Sequence, residues 1–402
     1  MTTTTLPAFC SIEFLREHVA HTMAFYHPGC IDPSGGFFHY FRDDGSVYDR
    51  RHRHLVSSTR FVFNYAMAAR EFGRTDYLDV ARHGLEYLRN VHRDRTSGAY
   101  AWTIRDGRPD DRTRHAYGMA FVLLAYSTAL KAGIGEVAPW IDETWALLEA
   151  RFWDSDAGLY RDEADAHWTF SPYRGQNANM HLTEALLAAF EATGDARYLD
   201  RALAVADAMT RRQAAQAGGL VWEHYDERWT IDWEYHRDDP KHLFRPWGFQ
   251  PGHQTEWAKL LLTLDRHAPR DWLLPTATQL FDRAIAHAWD AEFGGLSYGF
   301  APDGSVCDSD KYFWVQAESI AAAALLHERT RNASHRHDYD RLWAYAWEHF
   351  VDHEHGAWYR ILDCENQHYS NEKSPAGKTD YHTMGACHDV IALLRRSPSA
   401  LT

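Results

Sequence analysis

The segment SSTRFVFNYAMAAREF, residues 57–72, is followed by GRTD at 73–76 and by YLDVARHGLEYLRNV at 77–91. The first part is apolar on nearly all sides of a helix, which predicts a helix buried by its neighbours. The third part has one charged and one apolar face, as in a helix that covers a core. The glycine between them marks a turn. The stretch therefore predicts an inner helix followed by an outer one.

The same pattern recurs along the chain. In residues 177–212 an apolar helix, a short turn at Gly194 and Asp195 and a charged helix follow in the same order, and GDARYLD echoes GRTDYLD. Six glycine turns mark the repeats, with gaps of 62, 60, 61, 76 and 61 residues between their last glycines. They lie at Gly35-Gly36, Gly98, Gly158, Gly218-Gly219, Gly294-Gly295 and Gly356. A fixed period of this kind predicts a repeat architecture.

Six repeats close into an all-α (α/α)6 barrel if the N-terminal helix, about 11–25, pairs with the C-terminal one, about 382–394. We expect short β-hairpins at the glycine turns, in loops at one end of the barrel, because glycine supplies the positive φ angles they need. The longer fourth gap predicts an extra loop at 229–247 that covers one mouth. No linker interrupts the period, so we expect one domain over residues 1–402. Inner helices are expected to begin near Ser57, His115, Asn177, Gly252, Phe313 and His382.

The composition excludes several classes of partner and location. The net charge of −14 argues against a nucleic-acid partner, which requires a basic surface. The sequence contains no run of about 18 apolar residues, so no membrane span is expected. Five cysteines without a CxxC pair favour a reduced compartment, and the N-terminus lacks signal-peptide features, so the expected location is the cytoplasm. A monomer or a homodimer is expected.

All inner helices begin at the same end of the barrel, so the residues of their first turns should meet in one cavity. Charged and imidazole groups on otherwise apolar helices are unfavourable unless they are paired or solvated. Such groups occur in every repeat, which indicates a polar pocket. The candidates are Arg60, Tyr117, Asn177, His181, His253, Glu256, Trp314, Glu318 and His382.

His253 and His382 are the candidate acid and base. Glu256 lies three residues after His253 on the same helix face, where its carboxylate could orient the imidazole. His382 opens the last helix and could face His253 across the cavity. A shared substrate requires the two imidazoles to lie within roughly 12 Å of each other. The alternatives are a capping carboxylate beside a surface histidine, an exposed His382, and a core network at Asn177 and His181.

A catalytic metal and a nucleotide cofactor are not predicted. No HExxH motif occurs, although His253 and Glu256 could together supply two ligands. Neither a GxxxxGK[ST] loop nor a GxGxxG motif is present. We therefore expect neither metal nor cofactor.

Five segments carry a family resemblance: SSTRFVFNYA, RGQNANMHLTEALL, PGHQTEWAKLLL, WVQAESIAAA and KTDYHTMG. In order and spacing they resemble the N-acylglucosamine 2-epimerase superfamily over nearly the whole chain, and are most similar to its aldose–ketose isomerases. The resemblance implies a metal-independent (α/α)6 barrel with His253 and His382 as the catalytic pair. It implies that Arg60, Asn177, His181, Glu256 and Glu318 surround the sugar.

The activity that this resemblance implies is interconversion of D-mannose and D-fructose, with lyxose as a further substrate. In it one histidine opens the sugar ring, and one moves a proton from C2 to C1 through a cis-enediolate. The alternatives are a mannose/glucose 2-epimerase with the same residues, a glycoside hydrolase that uses Glu256 and Glu318, and a non-catalytic sugar-binding protein.

Overall fold

A computed structural model describes residues 6–242 and 244–401. Over these residues the chain forms twelve α-helices, labelled α1 to α12 in chain order. Their bounds are Ile12–Tyr26, Leu55–Phe72, Thr75–Tyr87, Ala116–Lys131, Ala138–Leu147, Gln176–Thr193, Ala196–Asp207, Pro251–His267, Leu273–Ala288, Phe313–Thr330, Ala333–His349 and Tyr381–Arg396. No helix in this part of the chain is long and apolar enough to cross a membrane.

The even-numbered helices form a closed inner ring. α2 packs on α4, and the contacts continue through α6, α8, α10 and α12 back to α2. Each odd-numbered helix packs outside one of them, and α1 covers α12, which joins the two ends of the chain. The fold is therefore the (α/α)6 barrel that the sequence predicts, and its inner helices begin within two residues of the expected positions.

Sixteen short strands, β1 to β16, lie in the connections of the described chain. Their bounds are Tyr40–Arg42, Val47–Asp49, His52–His54, Thr103–Arg105, Arg108–Asp111, Arg114–His115, Trp153–Asp154, Leu159–Tyr160, Glu163–Ala164, Arg174–Gly175, His224–Tyr225, Gly299–Phe300, Val306–Asp308, Lys311–Tyr312, Ile361–Leu362 and Glu372–Ser374. All named pairs are antiparallel.

These strands link neighbouring repeats at the mouth of the barrel. A strand just before one inner helix pairs with a strand ahead of the next, as in β3–β4, β6–β9, β10–β11 and β14–β15. The pair β16–β1 closes the ring between the last repeat and the first. The N-termini of the inner helices are thereby held around one opening.

The glycine turns form fewer β-hairpins than expected. Gly158 lies between the paired strands β7 and β8, whereas four other turns are closed by a single bridge. At Gly218 and Gly219 the turn follows a 3₁₀ segment, Ala214–Ala217, without such a pair. The glycines still have the positive φ angles that the prediction required.

Side-chain amides fix the position of three inner helices along their axes relative to the residues that follow the glycine turns. Asn179 in α6 bonds both backbone groups of Tyr160, at 2.8 and 3.0 Å. Gln254 in α8 does the same for Val221, and Gln316 in α10 for Leu296. Buried backbone groups that secondary structure leaves unpaired are satisfied in this way. The candidate site residues of these helices lie within two positions of the amides, so the clamps also position the site.

Candidate active site

A cavity of about 190 Å³ lies at the N-terminal ends of the inner helices. We call it the inner chamber. Of the residues that the sequence singled out, it is lined by Arg60, Tyr117, Asn177, His181, His253, Glu256, Trp314 and His382. Glu318 does not line the chamber but lies directly behind His382. The convergence predicted from the helix periodicity is therefore present.

Three imidazoles of the inner chamber are each held by a carboxylate at Nδ1. The pairs are His181 with Glu184 at 3.1 Å, His253 with Glu223 at 2.9 Å, and His382 with Glu318 at 2.6 Å. A carboxylate accepts, so in the neutral ring the proton sits on Nδ1 and Nε2 carries the lone pair. Each of the three rings can therefore offer Nε2 as a base.

The partner of His253 differs from the predicted one. Glu223, from the loop before α8, occupies Nδ1 of His253, and Gln176 donates to the same Glu223 oxygen at 2.9 Å. Glu256 is one helical turn deeper and approaches His181 instead, at 3.7 Å. The prediction that Glu256 orients His253 is thus wrong, because a shared helix face does not place two side chains at the same depth.

His382 has a defined environment on both ring nitrogens. Glu318 accepts from Nδ1, and Nη2 of Arg60 donates to Nε2 at 3.3 Å. Burial, together with the charge of Arg60 and the nearby His181, lowers the pKa of His382 well below its usual value. The ring is therefore a neutral base at physiological pH.

His253 and His382 face the same region of the inner chamber. Both rings pack against Trp314, with centroid distances of 4.9 and 5.7 Å. Their separation cannot exceed the sum of these distances, which is below the limit of roughly 12 Å for a shared substrate. Gly252 makes this packing possible, because a Cβ there would lie 2.4 Å from the Trp314 ring.

Arg60 is held between two aromatic rings. Its guanidinium lies 4.4 Å from the centroid of Phe121 and 4.8 Å from that of Tyr381. Nη1 donates to the carbonyl of Gly377, and Nη2 lies 3.3 Å from the hydroxyl of Tyr117. Such stacking fixes a planar, permanently charged donor. Arg60 can therefore stabilise negative charge that develops beside His382.

Glu256 is fully buried, and neither of its carboxyl oxygens has a hydrogen-bond partner. Burial and the nearby carboxylates of Glu318 and Glu184 raise the pKa of Glu256 well above its usual value. The side chain is therefore a neutral carboxylic acid, which can donate one hydrogen bond and accept others.

Further polar atoms of the chamber lack partners. Asn177 Oδ1 and Glu223 Oε1 are buried acceptors without a hydrogen bond, and both residues line the same cavity as Glu256. Unpaired buried acceptors are unfavourable. A ligand with several hydroxyl groups would satisfy these acceptors.

Two groups of side chains have spacings compatible with a metal ion. These are His181, Glu184 and Glu256, and Glu256, Glu318 and His382, with ligand atoms within 4.8 Å of one another in each group. The second group already contacts two cations, because Lys259 lies 2.6 Å from Glu318 and Arg60 contacts His382. Electrostatic repulsion from these cations disfavours a divalent ion there.

The inner chamber continues into a wider cavity of about 460 Å³, the outer chamber, which shares Tyr117, Tyr173 and Asn177 as lining residues. The extra loop at 229–247 borders both cavities through Phe244 and Arg245. Arg245 stacks on Tyr173 and pairs with Glu163 at 2.7 Å. The loop thus covers this mouth, as its length predicted; its Leu243 lies outside the described residues.

Sequence reasoning missed Glu223, Lys259 and Asp380. Asp380 precedes α12 with φ of 53° and accepts from Tyr26 at 2.7 Å and from the backbone of Trp358 at 3.2 Å. A non-glycine residue in this conformation persists only where its surroundings determine it. These contacts fix the start of the helix that presents His382. The only signal for Glu223 was its place directly after a glycine turn and a tryptophan.

The fold and the histidine–carboxylate pairs define a class of sugar-converting (α/α)6-barrel enzymes. The chain belongs to the N-acylglucosamine 2-epimerase (GlcNAc 2-epimerase) family, whose sequence profile matches residues 36–386.

Within this family, the chain is similar to several D-mannose isomerases. The chain is 57% identical to a D-mannose isomerase of Marinomonas mediterranea, over 96% of this chain and 99% of the relative. It is 38% identical to a D-mannose isomerase of Thermobifida fusca, over 71% of each chain. A crystal structure of a D-mannose isomerase superposes with a TM-score of 0.96 at 57% identity, covering 97% of this chain and 100% of that one.

Proposed function

We propose that this protein interconverts D-mannose and D-fructose by moving a proton between C2 and C1 of the open-chain sugar. The observation that carries the proposal is the placement of His253 and His382 against one Trp314 ring, each with Nδ1 held by a carboxylate. The similarity to D-mannose isomerases over nearly the full chain supports the choice of substrate.

Ring opening is assigned to His253. The anomeric hydroxyl loses its proton, the C1–O5 bond breaks to leave the C1 aldehyde, and the ring oxygen O5 takes up a proton. A single imidazole can carry out both transfers, since its Nε2 can accept a proton and then donate it again. Glu223 stabilises the imidazolium that forms between the two transfers.

The C2-to-C1 transfer is assigned to His382. Its Nε2 takes the proton from C2, the C–H electron pair forms a C1–C2 double bond, and the carbonyl pair moves onto O1. Arg60 stabilises the charge on the cis-enediolate oxygens. When the C2 hydroxyl proton passes to O1, a carbonyl forms at C2 and His382 returns its proton to C1. The neutral carboxylic acid of Glu256 is the group that we propose for this exchange between O2 and O1.

We propose further that the reaction needs no metal. Lys259 and Arg60 supply positive charge beside Glu318 and His382, where a dication would otherwise be required. Full activity after dialysis against EDTA is expected, and a loss that Mn²⁺ or Mg²⁺ restores would contradict it. The five free cysteines fit a cytoplasmic, reducing location.

The competing function is 2-epimerisation, which the family also includes. It would use the same side chains but return the proton to C2 from the opposite face. Purified protein incubated with D-mannose and sampled early should give fructose ahead of any glucose. Glucose as the early product, with no ketose, would overturn the isomerase assignment.

A further inference from the structure

A buried lysine stands directly behind the proposed catalytic base. Nζ of Lys259, in α8, lies 2.6 Å from Oε2 of Glu318, and Oε1 of the same carboxylate lies 2.6 Å from Nδ1 of His382. The Lys259–Glu318 contact is a close ion pair rather than an aligned hydrogen bond. Only 8% of the Lys259 side chain is exposed and 2% of that of Glu318. One carboxylate therefore bridges an ammonium group and the base.

Lys259 carries a stable positive charge. Burial alone would lower the pKa of Lys259, but the carboxylates of Glu318 and Asp389 outweigh burial and raise the pKa well above its usual value. Asp389 lies 3.8 Å from Nζ. A buried charge of this kind persists only when it is paired.

The charge matters because a second carboxyl lies close to Glu318. Ligand atoms of Glu256, Glu318 and His382 all lie within 4.8 Å of one another. Two carboxyl groups at such a distance cannot both ionise readily in a buried site. A protonated Glu318 would donate to Nδ1 of His382, and the proton of the ring would then lie on Nε2, against the N–H of Arg60. Two donors would face each other, and the base would be lost.

We propose that Lys259 is a positioning residue that keeps Glu318 ionised and thereby holds His382 in the tautomer with a free Nε2. The inference rests on the proposed proton transfer by His382. Charged or titratable side chains from four other inner helices face the His382 ring, and its protonation depends on all of them. They are Arg60 from α2, His181 and Glu184 from α6, Lys259 and Glu256 from α8, and Glu318 from α10.

A second cavity gives independent access to Lys259. It has a volume of about 350 Å³, lies at the opposite ends of the inner helices, and is lined by Lys259, Glu318 and Asp389. We call it the rear cavity. A small alkylammonium ion could enter there and stand in for a shortened lysine without crossing the inner chamber.

The kinetic test compares Lys259→Met, Lys259→Arg and Lys259→Ala with Lys131→Met. Lys131 borders the rear cavity but pairs with Glu191, so its variant is the control. We expect Lys259→Met to lower kcat for mannose about 10–100-fold, as for other partners that orient an active-site histidine, with KM changed little. The acid limb of the kcat–pH profile should move to higher pH, because the charge of Lys259 helps to lower the pKa of His382. Lys259→Arg should retain most activity, and propylammonium should restore part of kcat to Lys259→Ala.

Wild-type kcat with an unshifted acid limb in Lys259→Met would overturn the inference. If that variant does not fold, a failure of propylammonium to activate a folded Lys259→Ala protein would do so. The ¹⁵N chemical shifts of the His382 ring, in protein labelled at histidine, give a readout that needs no turnover. Wild type should show protonated Nδ1 and unprotonated Nε2, and Lys259→Met the reverse. This result separates the inference from the proposed function, which fails if mannose is not converted to fructose.

Discussion

Nδ1 of His253 lies 2.9 Å from Oε2 of Glu223, a residue of the loop that leads into α8. Gln176 donates to the same oxygen at 2.9 Å and itself accepts from Nε1 of Trp257 at 2.8 Å. The His253 ring at the start of α8 is therefore oriented by a network that spans two repeats. Such partners fix the tautomer and the orientation of a histidine ring.

Replacing Glu223 tests this network. Glu223→Gln removes the charge that stabilises the His253 imidazolium, so kcat/KM for mannose should fall about 10–100-fold. Glu227→Gln, in the exposed part of the same loop, is the matched control and should behave as wild type. Steady-state kinetics together with thermal melting measure both effects. Unaltered kinetics in Glu223→Gln would show that this carboxylate has no part in turnover.

Glu256 offers a test that separates binding from chemistry. Its raised pKa makes it a neutral acid, so the amide of Glu256→Gln resembles the native group in charge and shape. We expect KM for mannose to change little, while kcat falls about 10²–10⁴-fold because the amide cannot relay a proton. A variant that retains wild-type kcat would restrict Glu256 to a binding role.

The stability of the barrel should decrease as the solution is acidified. His18 in α1 accepts a hydrogen bond from Nε1 of Trp358 at 2.7 Å, and burial lowers the pKa of His18 to about 3. Its pKa in the folded protein lies below the value of about 6.5 in the unfolded chain. Its contribution to stability is thus present above pH 6.5 and is lost as the pH falls from there towards 3.

Urea unfolding at pH 7 and pH 5 measures this loss. His18→Gln keeps an acceptor for Trp358 but does not titrate, so it should reduce the loss of unfolding free energy by about 1.4 kcal/mol per pH unit. His337→Gln, at an exposed position of the outer helix α11, is the control. An equal loss of stability in His18→Gln and wild type would contradict the assignment.

The sequence predicted the architecture well because the repeat follows from the spacing of the glycine turns, and the burial of whole helices follows from the apolar residues within each helix. The six inner helices, the pairing of the chain ends and the convergence of their first turns all follow from periodicity. The partner of His253 could not be predicted in this way. Glu256 shares a helix face with His253, whereas Glu223 reaches it from a loop whose path depends on how neighbouring repeats pack.

Lys259 and Asp380 show a second reason why some site residues could not be predicted from the sequence. Lys259 contacts Glu318 of another repeat, and Asp380 accepts a hydrogen bond from Tyr26, which lies near the other end of the chain. In the sequence Lys259 is a single polar residue on a largely apolar inner helix. Its burial and its contact with Glu318 arise only when α8 and α10 pack side by side. The hairpins expected at the glycine turns were overestimated for a related reason, because five of the nine named strand pairs join adjacent repeats and only β7–β8 encloses one of these turns.

In the proposed reaction His382 moves a proton between C2 and C1 of mannose. Incubation of wild-type protein and of a His382→Asn variant with D-mannose in D₂O, followed by NMR and mass spectrometry, tests it most directly. We expect D-fructose that carries deuterium at C1 to the extent that the proton on His382 exchanges with solvent, and loss of both fructose formation and exchange in the variant. Deuterium at C2 of glucose without fructose, or full exchange in the His382→Asn protein, would contradict it.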